Sequence, residues 1–399
     1  MKTRRRLILV PTALLLLCFL TVAGLAFANR FRPTASEVVD RLSQPEKARL
    51  AEVTRLRQEA GQAVWPGWEQ ADIPLVVYNE TNAFLVGFQG EPPPGWQPVP
   101  GDESIGGSWE RVPGDTFFGE PYYRTPLPAP DVTPQAFTVR IGDAWAASMP
   151  TQEWARIQLA DQFNRDLPVF LKPVFPYGLA VRLFLGGSDK YISLMLHESF
   201  HAYQGMTAQE RLETGEQAGR TVERRYPWDN ESLEAAWQAE LDLLAEAAEQ
   251  AQNGATIAEL KQMAWQFLEM RGARREEAGL SSDQIVYEQL REWVEGQAKY
   301  VEMRMWQAGT ASPYTPHPAT TELDNFDSYQ GADRALSQEI QQIRRMAGDE
   351  GDGRFYYSGL AQALLLDRLM PGWQSQALAG TANLEDLLAA AIASNVSRD

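Results

Sequence analysis

Apolar residues recur at helical spacing through the second half of the chain, and in short runs punctuated by proline through the first. Leu233, Trp237, Leu241 and Leu244 fall on one face of a helix spanning about residues 231–252, with Asn253-Gly254 as its stop. Thr256 with Glu259, and Ser281 with Gln284, have the spacing of capping boxes. They start a second helix and a third that runs to about Gly309. Shorter helices are predicted near residues 333–346, 355–370 and 384–393. Between Gly61 and Lys190, a stretch with seventeen of the 25 prolines, β-type runs appear at residues 75–78, 84–88, 137–141, 169–171 and 179–185. These read as an irregular, mostly antiparallel sheet with long loops, for which Trp65, Trp68, Trp96 and Trp109 act as anchors. Ahead of it, residues 29–60 read as a helical stalk or lead-in, firmest after Ser43 and Pro45, which suit a cap and a first turn.

One further helix joins the two halves. Ser188 or Asp189 can cap its start and Gly205 suits its end. Ile192, Met195, Leu196, Ser199 and Tyr203 form a stripe fit to pack on a core, while His197, His201 and Gln204 face another way. The expected fold class is therefore α+β: a proline- and glycine-rich β lobe over residues 61–190, then a helical lobe over residues 191–399.

The N-terminus changes the setting. Lys2, Arg4, Arg5 and Arg6 precede an uncharged run over residues 7–27, which as a helix would span about 31 Å. That suffices for a membrane anchor with its N-terminus inside, yet Ala26-Phe27-Ala28 also has the small-residue pattern of a cleaved signal peptide. Residues 1–28 are read as one or the other, and both place the remainder outside the cytoplasm, membrane-anchored or secreted. Without those four cations the formal charge of −17 becomes −21, which disfavours nucleic acid and anionic lipid as partners of the exported part. The one cysteine, Cys18, lies in the uncharged run, so the exported part has no disulfide.

The chemistry is concentrated in His197-Glu198-Ser199-Phe200-His201, which holds two of the three histidines. Residues four apart lie above one another on a helix, so both imidazoles can reach one tetrahedral Zn²⁺. Glu198 would flank the metal, placed to take a proton from water and pass it to a leaving amine. A catalytic zinc needs a third protein ligand. His317, between Pro316 and Pro318, sits in a stiff loop better suited to a surface role. Glu295 is the better candidate, because Gly296 and Ala298 beside it let another helix approach closely.

The motif His197-Glu198-Ser199-Phe200-His201, followed at a distance by Glu295-Gly296-x-Ala298-x-Tyr300, resembles the gluzincin metallopeptidases, the thermolysin-like clan. The resemblance covers motifs within about residues 180–370. It implies a zincin-like fold with an active-site helix, zinc held by His197, His201 and Glu295, and a sheet whose edge strand pairs with a substrate backbone. By position that strand would be residues 181–185. It further implies an oxyanion donor from the helical lobe, for which Tyr356 and Tyr357 are the candidates and Tyr300 the fallback. Two departures stand out. Lys299 occupies the position where many gluzincins carry an acid that orients the first histidine, leaving Glu302 to supply that carboxylate. The separation of His201 from Glu295 is also long for a thermolysin-like enzyme, which keeps Glu231, Glu240 and Glu302 as rival ligands.

No G-x-S-x-G elbow, phosphate loop or dinucleotide fingerprint is present. The expected function is an exported zinc metallopeptidase acting on a peptide or protein substrate, in contact with a membrane through its N-terminal segment if that is uncleaved. The alternative is a non-catalytic binding or assembly module of the cell envelope on the same scaffold.

Overall fold

The computed structural model describes residues 20–394. The basic N-terminal cluster, Cys18 and most of the uncharged run lie outside them; residues 20–28 are helical. Among the described residues no helix is long and apolar enough to cross a membrane.

Ser43 caps the first long helix, α1 (Gln44–Val64), with its hydroxyl accepting from the Glu46 amide and Pro45 in the first turn, as the sequence foretold. The sheet follows: β1 (Leu75–Tyr78), β2 (Asn82–Val86), the short β3 (Gln97–Pro98) and β4 (Glu110–Arg111), β5 (Tyr123–Pro126), β6 (Phe137–Ile141) and β7 (Ala144–Pro150). Their order is β3-β6-β7-β1-β2-β5-β4. All pairs are antiparallel except β1 with β7. The mostly antiparallel expectation therefore holds with one parallel pair. β1 is buried along its whole length because Leu75 and Val77 face one apolar cluster while Val76 and Tyr78 face a second. That double burial explains why it reads as a continuous apolar run.

Two strands expected from the sequence are not strands. Residues 179–185 belong to helix α3 (Tyr177–Leu185), and residues 169–171 form a turn between helix α2 (Gln152–Asp166) and a 3₁₀ stretch (Lys172–Val174). Branched and aromatic residues in short runs do not distinguish a nine-residue apolar helix from a strand. The proposed substrate-pairing edge at residues 181–185 is thus ruled out. The outermost strand beside the helix of the histidines is instead β6, which β3 pairs only at Val139 and Arg140.

That helix, α4 (Ser188–Thr221), is longer than expected and starts after Gly187, with Ser188 and Asp189 inside its first turn. Asp189 accepts from the backbone amides of Asp327 and Tyr329, tying down a loop of the helical lobe. Gly205 does not end it; the break in helical geometry is at Ala208. A Cβ on Gly205 would sit 2.3 Å from the Trp145 ring, so glycine is needed there for α4 to lie against β7.

The helical lobe comprises α5 (Glu231–Gln252), α6 (Ile257–Glu277), α7 (Ser282–Arg291), a π-helical segment (Glu292–Gly296) continuing into α8 (Gln297–Ala308), the short α9 (Pro318–Thr321), α10 (Ala332–Ile343), α11 (Gly353–Leu369), α12 (Trp373–Ala379) and α13 (Leu384–Ala393). Both capping boxes form. The expected third helix is thus α7, the π turn and α8 in succession. Trp65, Trp68, Trp96 and Trp109 are buried, as anchors should be. One apolar cluster, from Leu42 in the N-terminal part to Ala391 in α13, joins a sheet face to the helices.

Between α5, α6, α7 and α13 the buried Arg271 and Arg274 and the half-buried Arg275 meet Glu240, Glu288, Glu292 and Glu385. Burial opposes ionisation of Glu288, but Arg274, Arg275 and Arg271 outweigh it and hold the carboxyl at about 2. Glu385 is likewise held at about 2, chiefly by Arg271 and Arg275 against its burial. In the unfolded chain both titrate near pH ~4.3. Their stabilisation is therefore complete above that pH and is lost as pH falls toward 2, amounting to a few kcal/mol per carboxylate. Thermal unfolding followed against pH should show a steep loss of stability in that window, and Glu288→Gln should flatten it at the cost of stability at neutral pH.

Candidate metal centre

The histidines lie on a face of α4 away from its apolar stripe, the same face on which Gly205, one turn past His201, lies against Trp145 of β7. Of the stripe, Ile192, Met195, Leu196 and Ser199 are fully buried and Tyr203 is half-buried, while His197 and His201 are directed at the π-helical segment. Glu295 lies in that segment, 3% exposed. Its Oε2 is 3.4 Å from His197 Nε2 and 3.3 Å from His201 Nε2. The ligand atoms of the three residues all lie within 4.8 Å of one another. His201 Nε2 and Glu295 Oε2 are buried without a hydrogen-bond partner. Buried polar atoms are normally satisfied, so converging unpaired imidazole and carboxylate donors fit a metal ion. This group can hold one.

Each donor is oriented by a residue behind it. His201 Nδ1 lies 2.9 Å from Gln204 Oε1, and Gln204 Nε2 donates to the carbonyls of Trp293 and Val294 at 2.9 and 3.2 Å. One carboxamide thus fixes the second histidine against the segment carrying Glu295. Because the Oε1 accepts, His201 keeps its proton on Nδ1 and leaves Nε2 free for a metal. Arg291, four residues before Glu295, donates to its Oε1 at 2.7 Å and also engages Glu216 and Asp352. Against the effect of burial, the charges of His201 and Arg291 hold the Glu295 carboxyl well below its usual range.

Glu302 takes the orienting place that Lys299 leaves. Its Oε2 is 3.4 Å from His197 Nδ1, while Lys299 Nζ donates to its Oε1 at 2.9 Å and lies 3.2 Å from Glu339. The lysine therefore supports the carboxylate rather than replacing it. Burial raises the Glu302 carboxyl, but Lys299 and His197 outweigh this and bring it to about 2. Burial likewise disfavours a charged His197, yet the flanking Glu295 and Glu302 push its pKa up to about 10. A metal entering here must displace that proton, so uptake weakens as pH falls.

Glu198 flanks the group without joining it. It is partly exposed, its Oε2 has no hydrogen-bond partner, and burial pushes its carboxyl up to about 7 against the charges of His197 and His201. The Tyr356 ring stacks on His197 at 5.6 Å, and burial with the adjacent Glu295 carboxylate raises its hydroxyl well above the usual range. Tyr357 is turned elsewhere, its hydroxyl donating to Glu339 at 2.6 Å. Tyr300 donates to Asp367. The Phe137 ring of β6 lies 4.6 Å from that of His201, so the incompletely paired end of that strand borders the centre.

The rival ligands are elsewhere. His317 caps α9 and packs on Phe118, Glu231 is exposed at the start of α5, and Glu240 is bound by Arg271 and Arg274. The sequence did not single out Gln204 as a partner of His201, nor Arg291. The spacings that point to them are three residues after one ligand and four before another, both same-face relations on a helix. No known family, curated protein or solved structure matches this chain.

Proposed function

We propose that the protein is a zinc-dependent metallopeptidase of zincin-like design, acting on peptide bonds outside the cytoplasm. The observation that carries the proposal is the convergence of His197, His201 and Glu295 on one buried point, with unpaired donors and with Glu198 beside them. Three protein donors of this kind leave a position open, the mark of a catalytic rather than a structural zinc. Zinc bound there acidifies water and polarises a carbonyl. The chain's own residues do the rest. Glu198, unpaired and flanking, accepts a proton and returns it to the departing amine. Tyr356, stacked over His197, has its hydroxyl on the side of Glu295, where it can donate to an oxygen gaining charge. The outer edge of β6 near Phe137 offers backbone groups to an extended peptide.

The test is metal content with ligand geometry, on protein purified without chelator. One zinc per chain, bound by two imidazoles and a carboxylate in its X-ray absorption spectrum, is the expected result. Glu295→Ala should weaken binding without removing it, because both imidazoles remain. A fourth protein ligand closing the site, or no zinc in the wild type, would favour a non-catalytic envelope module instead.

A further inference from the structure

Ten of the fifteen large apolar side chains exposed among the described residues fall in two short stretches, residues 20–31 and 169–184. The two stretches meet in space. Asn29 Nδ2 donates to the carbonyls of Pro173 and Phe175 at 2.8 and 2.9 Å, and Arg32 pairs with Asp161 and donates to the Ala160 carbonyl. The end of the N-terminal apolar run is therefore pinned to the hairpin of α2 and α3.

The hairpin has an unusual surface. α3 is apolar on nearly all sides, yet only Tyr177 and Val181 are buried, in a small cluster with Ala160 of α2. Its opposite face shows Leu179 at 51% and Leu183 at 73% exposure; Phe184, beside the buried stripe and edge-on to Phe163 of α2, is still 63% exposed, and the turn before the helix shows Val169 at 81% and Phe170 at 76%. A helix apolar all round is ordinarily buried, and a patch of this kind on a water-facing protein marks a binding surface. Charge narrows the partner. From Leu167 to Gly187 there is no acidic residue, in a chain with 53 of them, and the charged side chains there are Lys172 and Arg182. Aliphatic and phenyl groups with long cationic side chains among them suit the boundary between acyl chains and headgroups, where the cations reach back to phosphate. The uncharged stretch of residues 7–27 leads to the same place.

We propose that the α2–α3 tip, formed by Val169, Phe170, Leu183 and Phe184, inserts into the acyl-chain boundary of a lipid bilayer beside the N-terminal segment. The chain then meets the membrane at two adjacent places, which fixes the orientation of its body on the surface. This rests on the patch alone and is independent of the metal centre.

The full-length chain with Cys18→Ser offers a thiol-free background for an environment-sensitive probe at Phe170→Cys or Phe184→Cys, with Glu269→Cys on the exposed side of α6 as reference. In phosphatidylcholine vesicles, probes at 170 and 184 should shift to the blue and lose most of their emission to nitroxides carried on the acyl chains, whereas the probe at 269 should not. Vesicle-bound protein with probes at 170 and 184 unshifted and unquenched would show that the N-terminal segment alone holds the membrane and overturn the proposal, as would a chain that does not float with the vesicles. A blue shift that appears without lipid, and tracks dimer formation in sedimentation, would assign the patch to a second copy of the chain and overturn it equally.

Discussion

Glu198→Gln is expected to keep its metal and lose about 10²–10⁴-fold in kcat on peptides. The argument is one of place and of charge. The side chain stands next to the donors but is not one of them, so its replacement leaves all three ligand groups intact. Glutamine has the same length and fills the same space, yet its amide cannot accept a proton at neutral pH. The wild-type carboxylate has an oxygen with no partner in the folded chain, which is the arrangement of a group kept available for a reacting molecule. A peptide library read by mass spectrometry supplies the substrate, and zinc content measured on the same samples separates loss of chemistry from loss of metal. Substrate binding should change little, because the residue is asked to act on the proton and not on the peptide chain. Cleavage within about tenfold of wild type would remove Glu198 as the base.

How much of this was legible in the sequence depends on whether the signal is local. Caps, glycine stops and the helical stripe of α4 act over three to five residues, and they place α5 and α13 nearly to the residue and the starts of α6 and α7. The His197–His201 pair is local in the same sense. Residues 179–185 fail because burial on one side only, with apolar residues left on the other, gives a pattern that no periodicity rule assigns to a helix. β7 and α2 were missed for a different reason. Ala144–Pro150 is rich in small residues that fit between α4 and β1, and that requirement is set by neighbours distant in sequence. Glu295 was reachable through Gly296, since a mid-helix glycine costs helix stability and so advertises a close approach. Of the residues behind the donors, only Glu302 was reachable. Gln204, Arg291 and Lys299 are ordinary polar residues until α4, the π segment and α10 are assembled around them.

Gly359→Ala is expected to destabilise the protein by about 1–3 kcal/mol, although helix propensity alone gives the opposite sign. Gly359 of α11 and Gly296 of the π segment touch backbone to backbone. A Cβ on Gly359 would lie 2.6 Å from Gly296 Cα and 2.9 Å from the Glu292 carbonyl oxygen, and one on Gly296 would lie 2.5 Å from Gly359 Cα. These are main-chain atoms, so no side chain can rotate out of the way and the two helices must separate. One carries Glu295 and the other Tyr356, and Glu292 between them accepts from Ser358. Separation therefore acts on the metal group as well as on stability, and zinc affinity should fall together with the melting temperature. Gly272 provides the control. It lies within α6, and an added methyl there would meet nothing within 4 Å, so Gly272→Ala should stabilise by about 1 kcal/mol and leave zinc binding unchanged. Opposite signs at two mid-helix glycines would assign the cost at Gly359 to contact with the π segment; equal and favourable effects at both would show that the two helices are not held as closely as 2.6 Å implies.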